Sequence, residues 1–192
     1  MKETAKKLFA AYVGESQARN RYTFFSSIAK KEGYILISQI FEETANQERE
    51  HGLNFYKMFQ IFKEVDEDFK VSEKYPTTYG STIENLKSAV NGENMEWQHL
   101  YPDLATTAEK EGYPEIAKRT RAIARAEQHH AERYGKLLKI VGDDAFFKRD
   151  KKIVWVCLEC GYELEMDHLP ENWTCPSCDH NRSFFRKKCE DF

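Results

Sequence analysis

Apolar side chains recur at three- and four-residue spacings through four stretches of the chain, and glycines, prolines and polar clusters separate those stretches. The first stretch predicts a helix over 4–31, with Leu8, Tyr12, Glu15, Tyr22 and Phe25 near one stripe and Gly33 ending it. A second helix is expected over about 35–63, where Phe41, Thr44, Glu48, His51, Phe55 and Phe62 share a face. Periodicity then fails from Glu64 to Gly80, around Pro76. That connection is long for a turn between neighbouring helices and is expected to cross from one helix pair to the other. Ser81 or Thr82 suits the N-cap of a third helix running to about Glu111. Gly112 breaks the pattern, and Pro114 suits the first turn of a fourth helix with Ile116, Thr120, Ile123, Glu127, His130, Tyr134, Leu137 and Val141 on its stripe. Beyond Gly142 the chain is charged to Lys152, then turns to short β-type runs such as Ile153–Val156. The layout predicts an all-α four-helix bundle over 1–142, a linker over 143–152 and a small β-rich unit over 153–192.

An internal repeat supports that layout. Ala29-Lys-Lys-Glu-Gly-Tyr34 recurs as Ala108-Glu-Lys-Glu-Gly-Tyr113, a shift of 79 residues. The same shift carries Glu48-x-x-His51 onto Glu127-x-x-His130 and Tyr22 onto Tyr101. Two similar helical hairpins, neither able to bury its apolar stripe alone, would pair into one bundle.

Charge narrows the functions on offer. Lys and Arg total 29 against 32 Asp and Glu, and the balance is even in both the body and the tail. Neither part has the basic excess that nucleic acid or an acidic membrane surface requires. No apolar run approaches the ~18 residues that span a bilayer. Leu8–Val13 follows basic residues, but Glu15 and the polar residues after it end the run too early for an export signal, so the expected location is the cytoplasm.

The candidate chemistry sits on the helical stripes. Residues i and i+3 share a helix face, so Glu48 with His51, and Glu127 with His130, can each present two donors to one metal cluster. Glu15 precedes the first pair by 33 residues and Glu93 precedes the second by 34. One Glu on each of two helices plus Glu-x-x-His on each of the others is the donor set of ferritin-like di-iron or di-manganese bundles. Carboxylates bridge and neutralise two divalent cations, and imidazoles favour transition metals over magnesium or calcium. A lone Glu-x-x-His on a charged helix is ordinarily a solvated pair. Here both copies lie among Phe41, Phe55, Ile123 and Leu137, where unpaired charge is costly. Glu96, three residues after Glu93, is either a rim charge or a seventh ligand. Glu42, Glu43, Glu50 and His129 fall on other faces, and His99 has no helical partner for ligation.

Tyr22 follows Glu15 by seven residues, whereas Tyr101 follows Glu93 by eight. One extra residue turns a side chain about 100° around a regular helix. If both tyrosines face the metals, the third helix must absorb a residue as a π-bulge between Glu93 and Tyr101. Pro102, which cannot donate to an upstream carbonyl, loosens that turn. Otherwise Tyr101 packs elsewhere.

Five cysteines lie in the tail. Cys157-Leu-Glu-Cys160 and Cys175-Pro-Ser-Cys178 are two knuckles separated by fourteen residues, a tetrahedral thiolate site for zinc or a single iron. Zinc would make a structural ribbon and iron a one-electron carrier. Cys189 is left as a spare thiol.

Taken together, Gly14-Glu-Ser-Gln-Ala-Arg-Asn-Arg-Tyr22, Glu48-x-x-His51, Gly92-Glu-Asn-Met-Glu96 and Glu127-x-x-His130 resemble the rubrerythrin family in content and order. The stretch Leu169-Pro-Glu-Asn-Trp-Thr-Cys-Pro-Ser-Cys178 is similar to the second knuckle of rubredoxins. The resemblance implies a ferritin-like bundle with a rubredoxin-like domain, holding two iron ions in the bundle and one on Cys157, Cys160, Cys175 and Cys178. It implies a non-haem di-iron peroxidase that reduces hydrogen peroxide to water in anaerobic or microaerobic cells. Glu48 and Glu127 would bridge the irons, with Glu15, Glu93, Glu96 and His130 as terminal ligands. His51 would replace Glu96 on one iron in the reduced state. Tyr22 and Tyr101 would hydrogen-bond the bridging carboxylates. Electrons would arrive from rubredoxin or an NAD(P)H-dependent reductase through the four-cysteine iron. The chain would form a homodimer or larger homo-oligomer in which one subunit's tail approaches another's di-iron site. A ferroxidase or iron-handling protein, and a non-enzymatic zinc-ribbon interaction module, are the competing functions.

Overall fold

The computed structural model describes residues 2–62, 70 and 72–188. Helix α1 (Glu3–Lys31) and helix α2 (Ile35–Phe59), the latter running into a 3-10 turn at Gln60–Phe62, form one hairpin. Helix α3 (Thr82–Met95), a π-helical turn (Glu96–Leu100) and helix α4 (Tyr101–Lys110) make one continuous rod, and helix α5 (Pro114–Gly142) completes the second hairpin. Among the described residues the fold is therefore the expected four-rod bundle followed by a small sheet. No described helix is long and apolar enough to cross a membrane. Part of the expected connection over Glu64–Gly80, and Cys189, lie outside the described residues.

The π turn lies where the tyrosine spacing requires an extra residue. The Tyr101 N–H donates to the Glu96 carbonyl, an i→i−5 bond in place of the α-helical pattern. Ser81, rather than Thr82, caps α3: its hydroxyl accepts from the Glu84 N–H while the Glu84 carboxylate accepts from the Ser81 N–H.

The repeated Glu-Gly-Tyr turns end α1 and α4 in the same way. Gly33 and Gly112 take φ of +84° and +87°, and the N–H groups of Tyr34 and Tyr113 reach back to the carbonyls of Ala29 and Ala108, both at 2.8 Å. The glutamates of these turns carry a further role. Glu32 accepts from the Thr82 N–H at 3.0 Å at the start of α3, and Glu111 accepts from the Glu3 and Thr4 N–H groups at 3.0 and 3.1 Å at the start of α1. Each hairpin's turn thus caps the other hairpin's first helix, supplying acceptors and negative charge where the helix dipole favours both. Glu111→Ala removes two acceptors at once and should lower the unfolding midpoint by a few degrees. Glu111→Gln, which keeps one acceptor, should lower it less. An unchanged melting curve for both variants would show that the cap contributes nothing.

Side chains along the rods sort into three levels. Ala18, Tyr22, Phe25, Phe41, Leu86, Ala89, Tyr134 and Leu137 form one apolar cluster. Leu8, Phe55, Tyr101, Leu104, Ile116 and Ile123 form another. Glu15, Glu48, Glu93, Glu127 and His130 are buried in the belt between them. A belt of acids in such a position lacks water to solvate it.

The tail forms an antiparallel sheet of order β2-β1-β3, with β1 at Lys148–Cys157, β2 at Glu163–His168 and β3 at Phe185–Lys187. The irregular connection is shorter than expected, because Lys148–Lys152 already belong to β1. Phe146 inserts into the first apolar cluster and meets Tyr34 edge-on at 5.1 Å. Phe147 stacks on Tyr34 at 6.1 Å, and the Arg182 guanidinium lies 4.8 Å over the Phe147 ring. The sheet unit therefore sits against the bundle end formed by the α1–α2 turn and the α5 C-terminus.

Candidate metal centres

In the acidic belt, donor atoms of Glu15, Glu48, His51 and Glu127 all lie within 4.8 Å of one another, as do those of Glu48, Glu93, Glu127 and His130. The two groups share Glu48 and Glu127, so two ions could sit side by side with both carboxylates between them. His51 Nδ1 lies 3.0 Å from Glu48 Oε2 and 2.8 Å from Glu127 Oε1. His130 Nδ1 lies 2.8 Å from Glu127 Oε2, 3.2 Å from Glu48 Oε1 and 3.5 Å from Glu93 Oε2. These contacts are close in space, yet His130 Nδ1 and buried oxygens of Glu15, Glu48, Glu93 and Glu127 have no hydrogen-bond partner among the described residues. Convergent, buried and unpartnered carboxylate oxygens plus an imidazole lone pair fit a pair of divalent transition-metal ions.

Helix geometry explains the convergence. Glu48 and His51, and Glu127 and His130, project from successive turns of α2 and α5. Gly52 lets α1 come close at this level: a Cβ there would stand 3.2 Å from the Glu15 Cβ. Both tyrosines face the belt, but their partners differ from expectation. Tyr22 donates to Glu93 and Tyr101 to Glu15, not to Glu48 or Glu127. Each tyrosine lies one cluster above or below the belt on the first or third rod, and its hydroxyl crosses to the buried belt glutamate of the opposite rod. The resulting arrangement is reciprocal, like the helix caps.

Glu96 stands apart. It opens the π turn, half-buried, and belongs to neither group of mutually close donors. It is still within electrostatic reach of Glu93, Glu127 and Glu48, with Arg21 opposing them. Burial, followed by neighbouring carboxylates, holds the carboxyls of Glu15 and Glu96 well above the usual range and that of Glu93 above it. Burial acts against charge on the histidines, but Glu127 and Glu48 outweigh it, pushing His51 up to about 10 and His130 to about 12. Several acids packed this closely need either protons or metal ions. Glu42, Glu43, Glu50 and His129 are exposed, as their helical positions predict, and His99, set aside for want of a helical partner, is exposed too.

One contact had no signature in the sequence. His130 Nε2 lies 2.9 Å from Gln47 Oε1, across from α5 to α2. Gln47 belongs to no motif, and only the packing of two distant helices reveals the pair.

In the tail, Cys157, Cys160, Cys175 and Cys178 bring their sulfurs within 4.8 Å of one another. The Cys157–Cys178 and Cys160–Cys175 separations of 3.8 and 3.6 Å are far beyond the ~2.05 Å of a disulfide. The knuckles are built alike. Gly161 and Asp179, each one residue beyond its C-x-x-C, take φ of +76° and +60°, and their N–H groups both donate at 2.9 Å to the carbonyl of the knuckle's first cysteine. The Tyr162 N–H lowers the Cys160 thiol to about 6; at Cys178 the His180 N–H acts in the same sense, but desolvation and then the surrounding sulfurs together outweigh it and push the thiol up to about 12. Four thiols in contact favour full ionisation only around a cation, which fits a tetrahedral thiolate site.

Fold and sites together define a ferritin-like carboxylate–histidine metalloprotein carrying a four-cysteine metal unit. Comparison with known proteins agrees at both ends of the chain. Residues 6–138 match the rubrerythrin family model and residues 155–186 the rubrerythrin, rubredoxin-like domain model. Rubrerythrin-1 of Clostridium acetobutylicum is 44% identical, with 99% of this chain and 96% of that protein covered. Rubrerythrin of Porphyromonas gingivalis is 45% identical over 95% of this chain and 88% of its own length. Among solved structures, nigerythrin in its fully reduced, all-ferrous state aligns with a TM-score of 0.65 at 29% identity, covering 98% of this chain and 88% of that one. The chain belongs to the rubrerythrin family. Its two donor sets are those of a di-iron carboxylate centre and a four-cysteine iron site.

Proposed function

We propose that the chain is a peroxidase that reduces hydrogen peroxide to two waters, consuming two electrons and two protons. The observation that carries this reading is the presence, in one chain, of two donor groups sharing Glu48 and Glu127 and a separate four-thiolate unit. Two ferrous ions in the belt would supply the electron pair that cleaves the O–O bond. Glu48 and Glu127 would bridge them, with Glu15 and Glu93 as terminal donors fixed by Tyr101 and Tyr22, and with His130 as the constant imidazole. Glu96 and His51 would be alternative donors on one ion: the carboxylate offsets the higher ferric charge, and the neutral imidazole suits the ferrous ion.

The four cysteines would hold the iron that accepts electrons singly from rubredoxin or an NAD(P)H-dependent reductase. Twelve residues of α5 separate His130 from Gly142, a rise of roughly 18 Å before the tail begins. A homodimer or larger assembly, with one subunit's four-cysteine unit against another's bundle, would shorten the transfer.

Cys160→Ser tests the relay. Steady-state NAD(P)H-linked peroxide turnover should fall at least tenfold, while chemically reduced protein still consumes peroxide once per bundle. Undiminished steady-state turnover would remove the relay from the proposal.

A further inference from the structure

The 79-residue repeat relates His51 to His130, yet the two side chains are supported differently. His130 is nearly fully enclosed, with its side chain 3% exposed, whereas that of His51 is 14% exposed. Behind His130 runs a chain of hydrogen bonds with one consistent direction. Arg133 Nη1 donates to Glu43 Oε1 at 3.0 Å, and Arg133 Nη2 donates to the Thr44 hydroxyl at 2.9 Å. Glu43 Oε1, already accepting from Arg133, also accepts from the Gln47 amide NH2, 3.3 Å away, so that is the group that faces it. The Gln47 carbonyl then faces His130 Nε2 at 2.9 Å. In the neutral, ligating ring that nitrogen must carry the proton, which leaves the Nδ1 lone pair directed into the belt.

None of this recurs at the other histidine. Positions 79 residues beyond Glu43 and Gln47 hold Ala122 and Ala126, whose methyl groups neither donate nor accept. The counterpart of Arg133 is Asn54, which accepts from Arg119 at 3.0 Å. Among the described residues no side chain hydrogen-bonds His51 Nε2.

Building on the ligand assignment proposed above, we infer that Gln47 is the positioning residue that makes His130 a permanent ligand, and that the missing counterpart frees His51 to bind or release. Gln47 touches neither substrate nor metal. It acts by fixing the tautomer and ring orientation of His130, with Glu43 and Arg133 holding its amide the right way round. The two imidazoles of the belt are thereby given different duties by residues behind them rather than by the carboxylates in front.

The test uses the full-length chain loaded with ferrous iron under anaerobic conditions. The ring N–H of a ligated imidazole gives a hyperfine-shifted proton resonance that exchanges with solvent. The wild type should show one slowly exchanging resonance, which His130→Ala removes. Gln47→Leu should speed its exchange at least tenfold and weaken ferrous binding at one of the two bundle sites by about 10–100-fold. Gln47→Glu, which keeps an acceptor, should restore slow exchange and so separate the hydrogen bond from side-chain packing. If the wild type takes up two bundle irons and Gln47→Leu matches it in both exchange and affinity, the role of Gln47 is refuted while the site stands. If the wild type takes up no such pair, the ligand assignment falls and the role of Gln47 falls with it.

Discussion

A Glu127→Ala chain should keep the iron of the four-cysteine unit and lose the pair in the bundle, taking the metal count from about three per chain to about one. Glu127 belongs to both donor groups, and its two oxygens lie 2.8 Å from His51 and from His130. On the proposed ligand assignment, its removal would take a donor from each ion and leave Glu48 as the single carboxylate shared by both groups. Glu15→Ala should be milder, because Glu15 serves one group only. Peroxide turnover in Glu127→Ala should fall by more than the roughly 10–100-fold that loss of an outer partner costs. Metal analysis with visible absorption separates the two sites, since thiolate-bound iron keeps its charge-transfer bands. Three irons retained in the purified variant would contradict the shared-bridge geometry.

The metal-free protein should become less stable as pH rises from about 5 to about 9, the reverse of the familiar acid denaturation. The carboxyls of Glu15, Glu93 and Glu96 titrate above their ordinary value of 4.5, chiefly through burial. A folded state that holds protons the unfolded chain releases is favoured below the unfolded value and loses that advantage as pH climbs through the folded ones. The histidines act in the same direction: His51 is raised from 6.5 to about 10 and His130 to about 12, with Glu127 and Glu48 overcoming the burial penalty. Both sets thus remove stability with rising pH in the absence of metal. Divalent iron replaces those protons, so adding it back near pH 8 should recover the lost melting temperature. A chelated sample whose midpoint stays level or rises across this window would contradict the electrostatic account of the belt.

The sequence carried much of this site because helices convert spacing into direction. Glu48 and His51 had to share a face, and two copies at one shift made chance agreement untenable. The π turn at Glu96–Leu100 was legible for the same reason, since a one-residue mismatch between otherwise matching segments requires an inserted residue. What stayed hidden depends on which rods approach each other. Spacing places Tyr22 and Tyr101 toward the belt but does not say that they reach Glu93 and Glu15. Nor does it reveal that Glu32 and Glu111 cap distant helices, or that Gln47 meets His130. Glu96 shares a face with Glu93 on a regular helix, and the π turn that begins there leaves it outside both donor groups. The early start of β1 was masked by Lys148-Arg-Asp-Lys-Lys152, a run with neither alternation nor β propensity, where only Lys148 pairs with β2, opposite His168, before the register shifts.

The unequal support behind the two histidines bears on why the hairpins share one chain. Two identical hairpins associating as separate molecules about a two-fold axis would present the same residues to both ions. Any glutamine behind one imidazole would then stand behind the other, and both would be fixed or both free. A covalent link between the halves lifts that constraint, because each copy can then change alone. Gln47 where the second hairpin has Ala126, and Glu43 where it has Ala122, are two such differences between the halves. Joining the hairpins end to end thus does more than raise their effective concentration: it permits two neighbouring ions in one nearly symmetric cage to have different coordination chemistry.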